Sequence, residues 1–93
     1  MTVSLQVCDV RVVEGDLIQL SVRCLAGPVS VGTRLGAGNG IHLTLTEILV
    51  YRRSVDVLDT ALTALVTLRG HGADRVRFNF NHVLRGVDGA GEV

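Results

Sequence analysis

The chain has 93 residues, with nine basic and nine acidic side chains, and hydrophobic residues make up 47% of it. This length allows one domain and excludes a multidomain enzyme, and the apolar fraction excludes an intrinsically disordered chain. The balanced charge does not support a strongly basic nucleic-acid-binding protein. All nine basic residues are arginine, which GC-rich coding explains as readily as selection for forked contacts with phosphate or carboxylate groups.

Apolar and polar residues alternate with a period of two in the N-terminal segments. Residues 3–13 alternate with a change of phase, which predicts a β-bulge near Cys8 or Asp9. Residues 17–25 alternate without interruption and predict a second, half-buried strand. The Gly-centred residues 14–16 between these segments predict a hairpin turn.

The middle of the chain is divided by glycine and proline. Gly27-Pro28 predicts the end of the second strand, and residues 29–33 follow as a short extended piece and a turn. Residues 36–40 are Gly-rich but lack the Lys-Ser/Thr of a phosphate-binding loop, so they predict a hairpin turn. Residues 41–51 form the next predicted strand, with a change of phase near Glu47.

The C-terminal half begins with an ambiguous segment. Residues 55–60 have apolar residues at helical spacing, which allows one helical turn. Residues 61–69 return to alternation, and residues 70–74 are predicted as a loop. Residues 75–85 give the clearest strand signal, with an arginine- and asparagine-bearing outward face. The Gly-rich residues 87–93 predict a flexible C-terminal tail.

These segments predict one all-β domain over residues 1–86. Six or seven strands with turns near every tenth residue indicate a sandwich or a barrel. We favour a small closed or partly open antiparallel β-barrel of six to seven strands. Such barrels fill their interiors with Val, Leu and Ile, which suits a chain with three aromatic residues.

The order of markers over residues 20–35 resembles the second-domain β-barrel of translational GTPases of the elongation factor Tu type. In that barrel a strand is followed by a glycine and then by Val-Gly-Asp and an apolar residue. Gly27, Val31 and Gly32 fit these places, while Thr33 replaces the usual Asp.

The resemblance extends over roughly residues 5–86. Residues 65–70 are similar to an apolar strand of the family that ends in Leu-x-Gly, and residues 83–86 carry its closing Arg-Gly and Val-Leu elements in reversed order. No phosphate loop accompanies them in this sequence. In the family this barrel packs on the GTPase domain and contacts tRNA or ribosomal RNA in different factors. The resemblance therefore implies a stand-alone, non-catalytic binding or adaptor module, although a fold does not by itself define a function.

The predicted recognition surface is basic. Its residues share outward positions on neighbouring predicted strands and are Arg69, Arg75, Arg77 and Asn79. Arg69 is expected beside Arg75 across a hairpin closed by residues 70–74, and the clustered guanidinium groups would form a site for an anion or phosphate. The alternative is a solvated face that discourages edge pairing. Arg52 and Arg53 form a second, weaker pair.

Neither the cysteines nor the histidines predict a catalytic or metal site. Cys8 and Cys24 fall on neighbouring strands, where two reduced, buried thiols are favoured and a disulfide is the alternative. His42, His71 and His82 lack the spacing of a metal-binding pair, and His82 is predicted to be a core histidine. No nucleophile, base and orienting group can be assembled. We therefore expect no enzyme activity, no cofactor and no bound metal.

Two kinds of role remain open. The leading hypothesis is a binding module with a protein partner, and RNA is the other candidate partner. The alternative is a self-associating structural domain with no nucleic-acid role, motivated by the outward apolar residues Leu65 and Val83. The N-terminus lacks signal-peptide features and no apolar run reaches transmembrane length, so a cytoplasmic location without membrane contact is expected.

Overall fold

The computed structural model describes residues 3–36, 41–73 and 83–86. Most of these residues lie in β-strands, which confirms the all-β class. In chain order the strands are β1 (Ser4–Glu14), β2 (Leu17–Ala26), β3 (Val29–Ser30), β4 (Arg34–Gly36), β5 (His42–Val50), β6 (Arg53–Val55), β7 (Val57–Leu58), β8 (Thr63–His71) and β9 (Val83–Gly86).

A closed ring of six antiparallel strands organises the described residues. The strands follow the order β4-β9-β1-β2-β8-β5, and a further pairing of β4 with β5 closes the ring. The remaining strands are additions, because β6 pairs with β5 outside the ring and β3 pairs with β7 in a separate two-stranded sheet. The predicted small antiparallel barrel is thus confirmed. The predicted tail, residues 87–93, lies outside the described residues.

The first hairpin forms as predicted. Glu14 opposes Leu17 in the ladder between β1 and β2, so the loop contains two residues. Gly15 takes a positive φ of 61°, a conformation that glycine adopts without steric cost. The second predicted hairpin is supported by the antiparallel pairing of β4 with β5, while residues 37–40 themselves lie outside the described part.

Bulges account for the changes of phase in the sequence. The register of β1 against β2 shifts between Val7 and Asp9, which confirms the bulge predicted near Cys8. The register of β5 against β8 shifts between Leu45 and Glu47, which confirms the predicted change near Glu47. A further shift between Val10 and Val12 was not predicted.

Two local predictions were wrong. The segment 55–60 contains no helical turn, because Val57–Leu58 is β7 and pairs with β3. Leu58 is fully buried there. The apolar residue that suggested helical spacing is therefore a core residue of a short strand. The predicted loop 70–74 starts too early, since Gly70 and His71 are the last residues of β8. Most of the predicted strand 75–85 lies outside the described residues. Its end is β9, where Leu84 is buried as expected.

The barrel interior is aliphatic. The fully buried side chains are mainly Leu, Ile and Val, and the largest of them are Leu5, Ile18, Leu20, Leu35, Leu43, Leu45, Ile48, Leu58, Leu68 and Leu84. No polar or charged side chain is buried in the part of the chain that the structure describes. Apart from the Cys24 thiol, this interior offers no side chain for proton transfer or metal binding among the described residues, so the other candidate binding residues lie on the outer surface.

One backbone contact between β5 and β8 depends on the absence of a side chain. A Cβ atom on Gly70 would overlap the carbonyl oxygen of His42, and Gly70 has a φ of 149°. Its amide also donates a hydrogen bond to the carbonyl oxygen of Asp16, at 2.8 Å. Gly70 therefore sets the approach of β5, β8 and the β1–β2 turn near one end of the barrel.

Substitution at this position should cost far more than at the hairpin glycine. We expect Gly70→Ala to lower the free energy of unfolding by at least about 3 kcal/mol, because it combines a forbidden φ with a backbone overlap. Gly15→Ala is the matched control, since nothing lies within 4 Å of its added Cβ, and should cost about 1 kcal/mol. Urea denaturation measures both, and equal costs would contradict the close approach.

Candidate functional site

Arg69 is exposed on β8, on the outward face where the sequence placed it. Its Cα partners are Leu17 on β2 and Thr44 on β5. β8 is therefore paired on both sides. The predicted hairpin to residues 75–85, with Arg75 beside Arg69, falls mostly outside the described residues and stays a prediction. The positions of the other candidate residues lie outside the described part, and their membership of the site stays a prediction; they are Arg75, Arg77 and Asn79.

Two arginines that the sequence analysis did not select lie near Arg69. Arg34 on β4 opposes Thr44, and Thr44 opposes Arg69, so the three residues form one row across three strands. Two interstrand spacings separate the Cα atoms of Arg34 and Arg69 by about 10 Å. Arg85 on β9 opposes Gly36 on β4, two positions along from Arg34. We call the exposed surface of Arg34, Arg69 and Arg85 the arginine face.

The arginine face has no carboxylate neighbour among the described residues. Within the described residues, the one ion pair joins Arg11 and Asp9, which lie outside the arginine face. Their nitrogen and oxygen atoms are 3.4 Å apart, and both side chains are more than half exposed. The guanidinium groups of the arginine face therefore have no acidic partner within 4.0 Å in that part of the chain. Their planar donor sets are free to bind an external carboxylate or phosphate.

The second predicted pair lies at a hairpin tip. Tyr51 and Arg52 form the two-residue connection between β5 and β6, and Val50 opposes Arg53 at its base. Both connecting residues have positive φ, 51° and 67°, which a type I′ turn requires. Asn or Gly usually fills these positions. Because Tyr and Arg stand there instead, the turn has no recognisable sequence signal and the hairpin was missed. The ring of Tyr51 is 94% exposed.

An outward groove of about 600 Å³ lies beside this tip. Its floor includes Leu49 and Leu65, which are Cα partners on β5 and β8 and are both half-buried. Tyr51, Arg52 and the 45% exposed Leu62 also line it. We call this surface the hairpin groove. The predicted outward position of Leu65 agrees with its place on the groove floor.

The structure separates the two basic surfaces. The arginine face meets β5 at Thr44, whereas Arg52 and Arg53 follow the opposite end of that strand. Six strand positions, from Thr44 to Val50, span about 20 Å. The secondary pair is therefore a distinct surface at the hairpin groove and does not enlarge the arginine face.

The cysteines occupy unlike environments, and the prediction that both are buried was wrong for Cys8. The bulge in β1 turns Cys8 outward, where it is exposed, while Cys24 is fully buried in β2. Both thiols are free. Burial raises the pKa of the Cys24 thiol, although hydrogen bonding with the Ala26 backbone and the Thr60 hydroxyl partly opposes this.

The histidine positions are resolved by the strand order. His42 on β5 and His71 on β8 are Cα partners and both are exposed. The sequence analysis examined spacing along the chain and missed this pair, because only the order of the strands places the two residues opposite each other. The predicted core histidine, His82, lies outside the described residues.

The two histidines do not belong to a larger group of ligating side chains in the described part of the chain. Within residues 3–36, 41–73 and 83–86, no three His, Cys, Asp or Glu side chains surround a common point. In the same ranges, no helix has the length and apolar character needed to cross a membrane.

Comparison with known proteins identifies the fold. The sequence matches no protein-family model, and no curated protein is significantly similar to it. The apo crystal structure of translation elongation factor SelB from Methanococcus maripaludis matches with a TM-score of 0.77 and 12% sequence identity, over 95% of this chain and 19% of that chain. The structure of the same factor with the GTP analogue GppNHp gives the same values.

The likeness confirms a translation-factor barrel fold, as the sequence resemblance implied. It concerns a domain-sized part of the elongation factor, since this chain spans 19% of that factor's chain. At 12% identity it shows the fold and leaves the function to be argued from the surface.

The two thiols should react at very different rates. We expect one thiol per chain to react rapidly with a thiol-specific chromophoric disulfide at neutral pH, because Cys8 is exposed and Cys24 is buried with a raised pKa. The Cys8→Ser variant should lose the fast phase, and Cys24 should react only after denaturation. Absence of a fast phase would show that the bulge does not turn Cys8 outward, and two fast phases would contradict the burial of Cys24.

Proposed function

We propose that this chain is a non-catalytic binding module that contacts RNA through the arginine face. The observation that carries the proposal is the placement of Arg34, Arg69 and Arg85 on three neighbouring strands of the ring, with no carboxylate neighbour among the described residues. Guanidinium groups form forked hydrogen bonds to phosphate oxygens. Such contacts orient a nucleic acid without reading its sequence.

The spacing of the arginine face suits an extended anion better than a small one. Arg34 and Arg69 are two interstrand distances apart, with the short Thr44 between them. Two arginine side chains at this spacing can converge on one small anion, whereas a phosphate backbone can contact all three arginines in turn. Rigid strands hold the three Cα positions, so little backbone conformational entropy is lost on binding.

The fold is compatible with a role beside the translation machinery. The barrel resembles a part of an elongation factor, and we infer that this chain acts as a comparable accessory barrel. An acidic protein surface could bind the same arginines, because carboxylates also accept forked hydrogen bonds. RNA is favoured because the arginines are spread over the row instead of meeting at one point.

Salt dependence tests the RNA contact. For a fluorescently labelled single-stranded RNA, the affinity should fall with salt along a log–log slope of about −2, since each of three phosphate contacts contributes about 0.7. The double variant Arg34→Ala/Arg69→Ala should retain a slope of about −0.7. Absence of binding at low salt would contradict the proposal.

Arg23→Ala is the matched control for this titration. Arg23 is also exposed on an outer strand face, but it lies six positions along β2 from Leu17, the partner of Arg69, or about 20 Å. Its substitution should leave the slope unchanged. Equal effects of all these substitutions would point to net charge and away from the arginine face.

The second candidate function is self-association through the hairpin groove. Leu62 and Tyr51 are largely exposed there, and Leu25 is also 44% exposed on β2. The amide of Cys24, the neighbour of Leu25, donates a hydrogen bond to the Leu62 carbonyl oxygen, so these two leucines lie close together. Exposed apolar patches often mark interfaces.

Sedimentation equilibrium distinguishes this second function. If the groove mediates self-association, the wild-type chain should form dimers whose dissociation constant rises about tenfold in Leu62→Ser, because an apolar contact is lost. Val57→Ser is the matched control, since Val57 is equally exposed but does not line the groove. A wild-type chain that stays monomeric at high concentration would exclude this function.

A further inference from the structure

His42 and His71 form a cross-strand pair on the outer surface. They are Cα partners in the antiparallel ladder between β5 and β8, and both side chains are exposed. Residues directly opposite each other point to the same side of the sheet, with Cβ atoms about 4.5–5.5 Å apart. The two imidazoles therefore stand side by side on a rigid ladder.

We propose that His42 and His71 together bind a divalent transition metal ion of the Cu²⁺, Ni²⁺ and Zn²⁺ class. Neutral imidazole is a preferred ligand of these ions, with metal–nitrogen distances of about 2.0–2.1 Å for zinc. Cβ atoms at the spacing of a direct cross-strand pair allow one nitrogen from each ring to reach the same ion. The strands fix both Cα positions before the ion arrives, so few freely rotating bonds must be ordered on binding.

The surroundings leave room for further ligands from solution. Gly36 is the β4 neighbour of His42, and glycines precede and follow His71, so adjacent positions carry no bulky side chain. A cleft of about 620 Å³ borders His71 and includes Asp16. Since no third ligating side chain is grouped with the pair in the described residues, water or a small anion completes the coordination. The site is therefore an exchangeable one.

The charges around the pair limit its affinity. Arg34 lies two residues before Gly36 on β4, and Arg69 lies two residues before His71 on β8, so both are neighbours of the pair on the outer face. Arg85 faces Gly36. These positive charges oppose a dication, although at Cα separations of about 7–10 Å in a solvent-exposed setting each repulsion is small. Asp16 contributes an opposing negative charge at the bordering cleft. Binding rests on coordination by the two nitrogens and should follow the ligand-field order, with Cu²⁺ tightest.

Titration with the metal salts alone tests the pair. All proteins carry Cys8→Ser, because the exposed Cys8 thiol would itself bind these ions. We expect one Cu²⁺ or Ni²⁺ per chain, measured by competition with a chromophoric chelator. His42→Ala and His71→Ala should each weaken binding about tenfold or more, since loss of a ligand costs at least as much as loss of a supporting contact.

His82→Ala is the control, because His82 is the remaining histidine of the chain and is not part of the pair. The metal affinity of the His82→Ala variant should equal that of the Cys8→Ser parent. Circular dichroism should show that all variants are folded. A measurement without substitution gives independent support: Ni²⁺ should broaden the imidazole proton signals of two histidines together. No metal binding, or binding that survives both the His42 and His71 substitutions, would overturn the proposal whether or not the chain binds RNA.

Discussion

Closure of the six-stranded ring is the constraint on which the arginine face and the His42–His71 pair depend. The closing strand β4 has three residues, yet it pairs with β5 on one side and with β9 on the other. Its central residue, Leu35, is fully buried, so the apolar interior holds the strand in place. Closure removes the open edges within the ring. It also aligns Arg85, Gly36, His42 and His71 across four consecutive strands.

The bulges determine which residues face outward on this closed ring. A shift of one residue in register exchanges the inner and outer faces of a strand. After the shift between Leu45 and Glu47, Ile48 becomes buried and Leu49 reaches the hairpin groove. The shift at Cys8 has the same effect on β1, where it turns a thiol towards solvent. The groove and the exposed thiol therefore follow from local irregularity in otherwise regular strands.

Local features were predictable from the sequence because they depend on nearby residues. Alternation and turn glycines predicted the first hairpin, two of the bulges and the barrel class. The bulge between Val10 and Val12 was missed, since valines on both sides of the shift conceal a change of phase. The β5–β6 hairpin was missed because Tyr51 and Arg52 are unusual in its turn.

Neither Arg34 nor Arg85 could be grouped with Arg69 before the strand order was known. Consecutive strands usually pair, but β8 forms both of its described ladders with strands from earlier in the chain, β2 and β5.

A formal net charge of zero is compatible with a basic recognition surface because the field near a surface depends on local charge. The described acids do not come within ion-pairing distance of Arg34, Arg69 or Arg85. At physiological ionic strength, screening acts over about 8 Å, so an approaching phosphate would respond mainly to the nearest guanidinium groups. The aliphatic interior stabilises the barrel without buried charge. Because the described core requires no ion pair for its packing, the outer arginines remain available for the external contact that we propose.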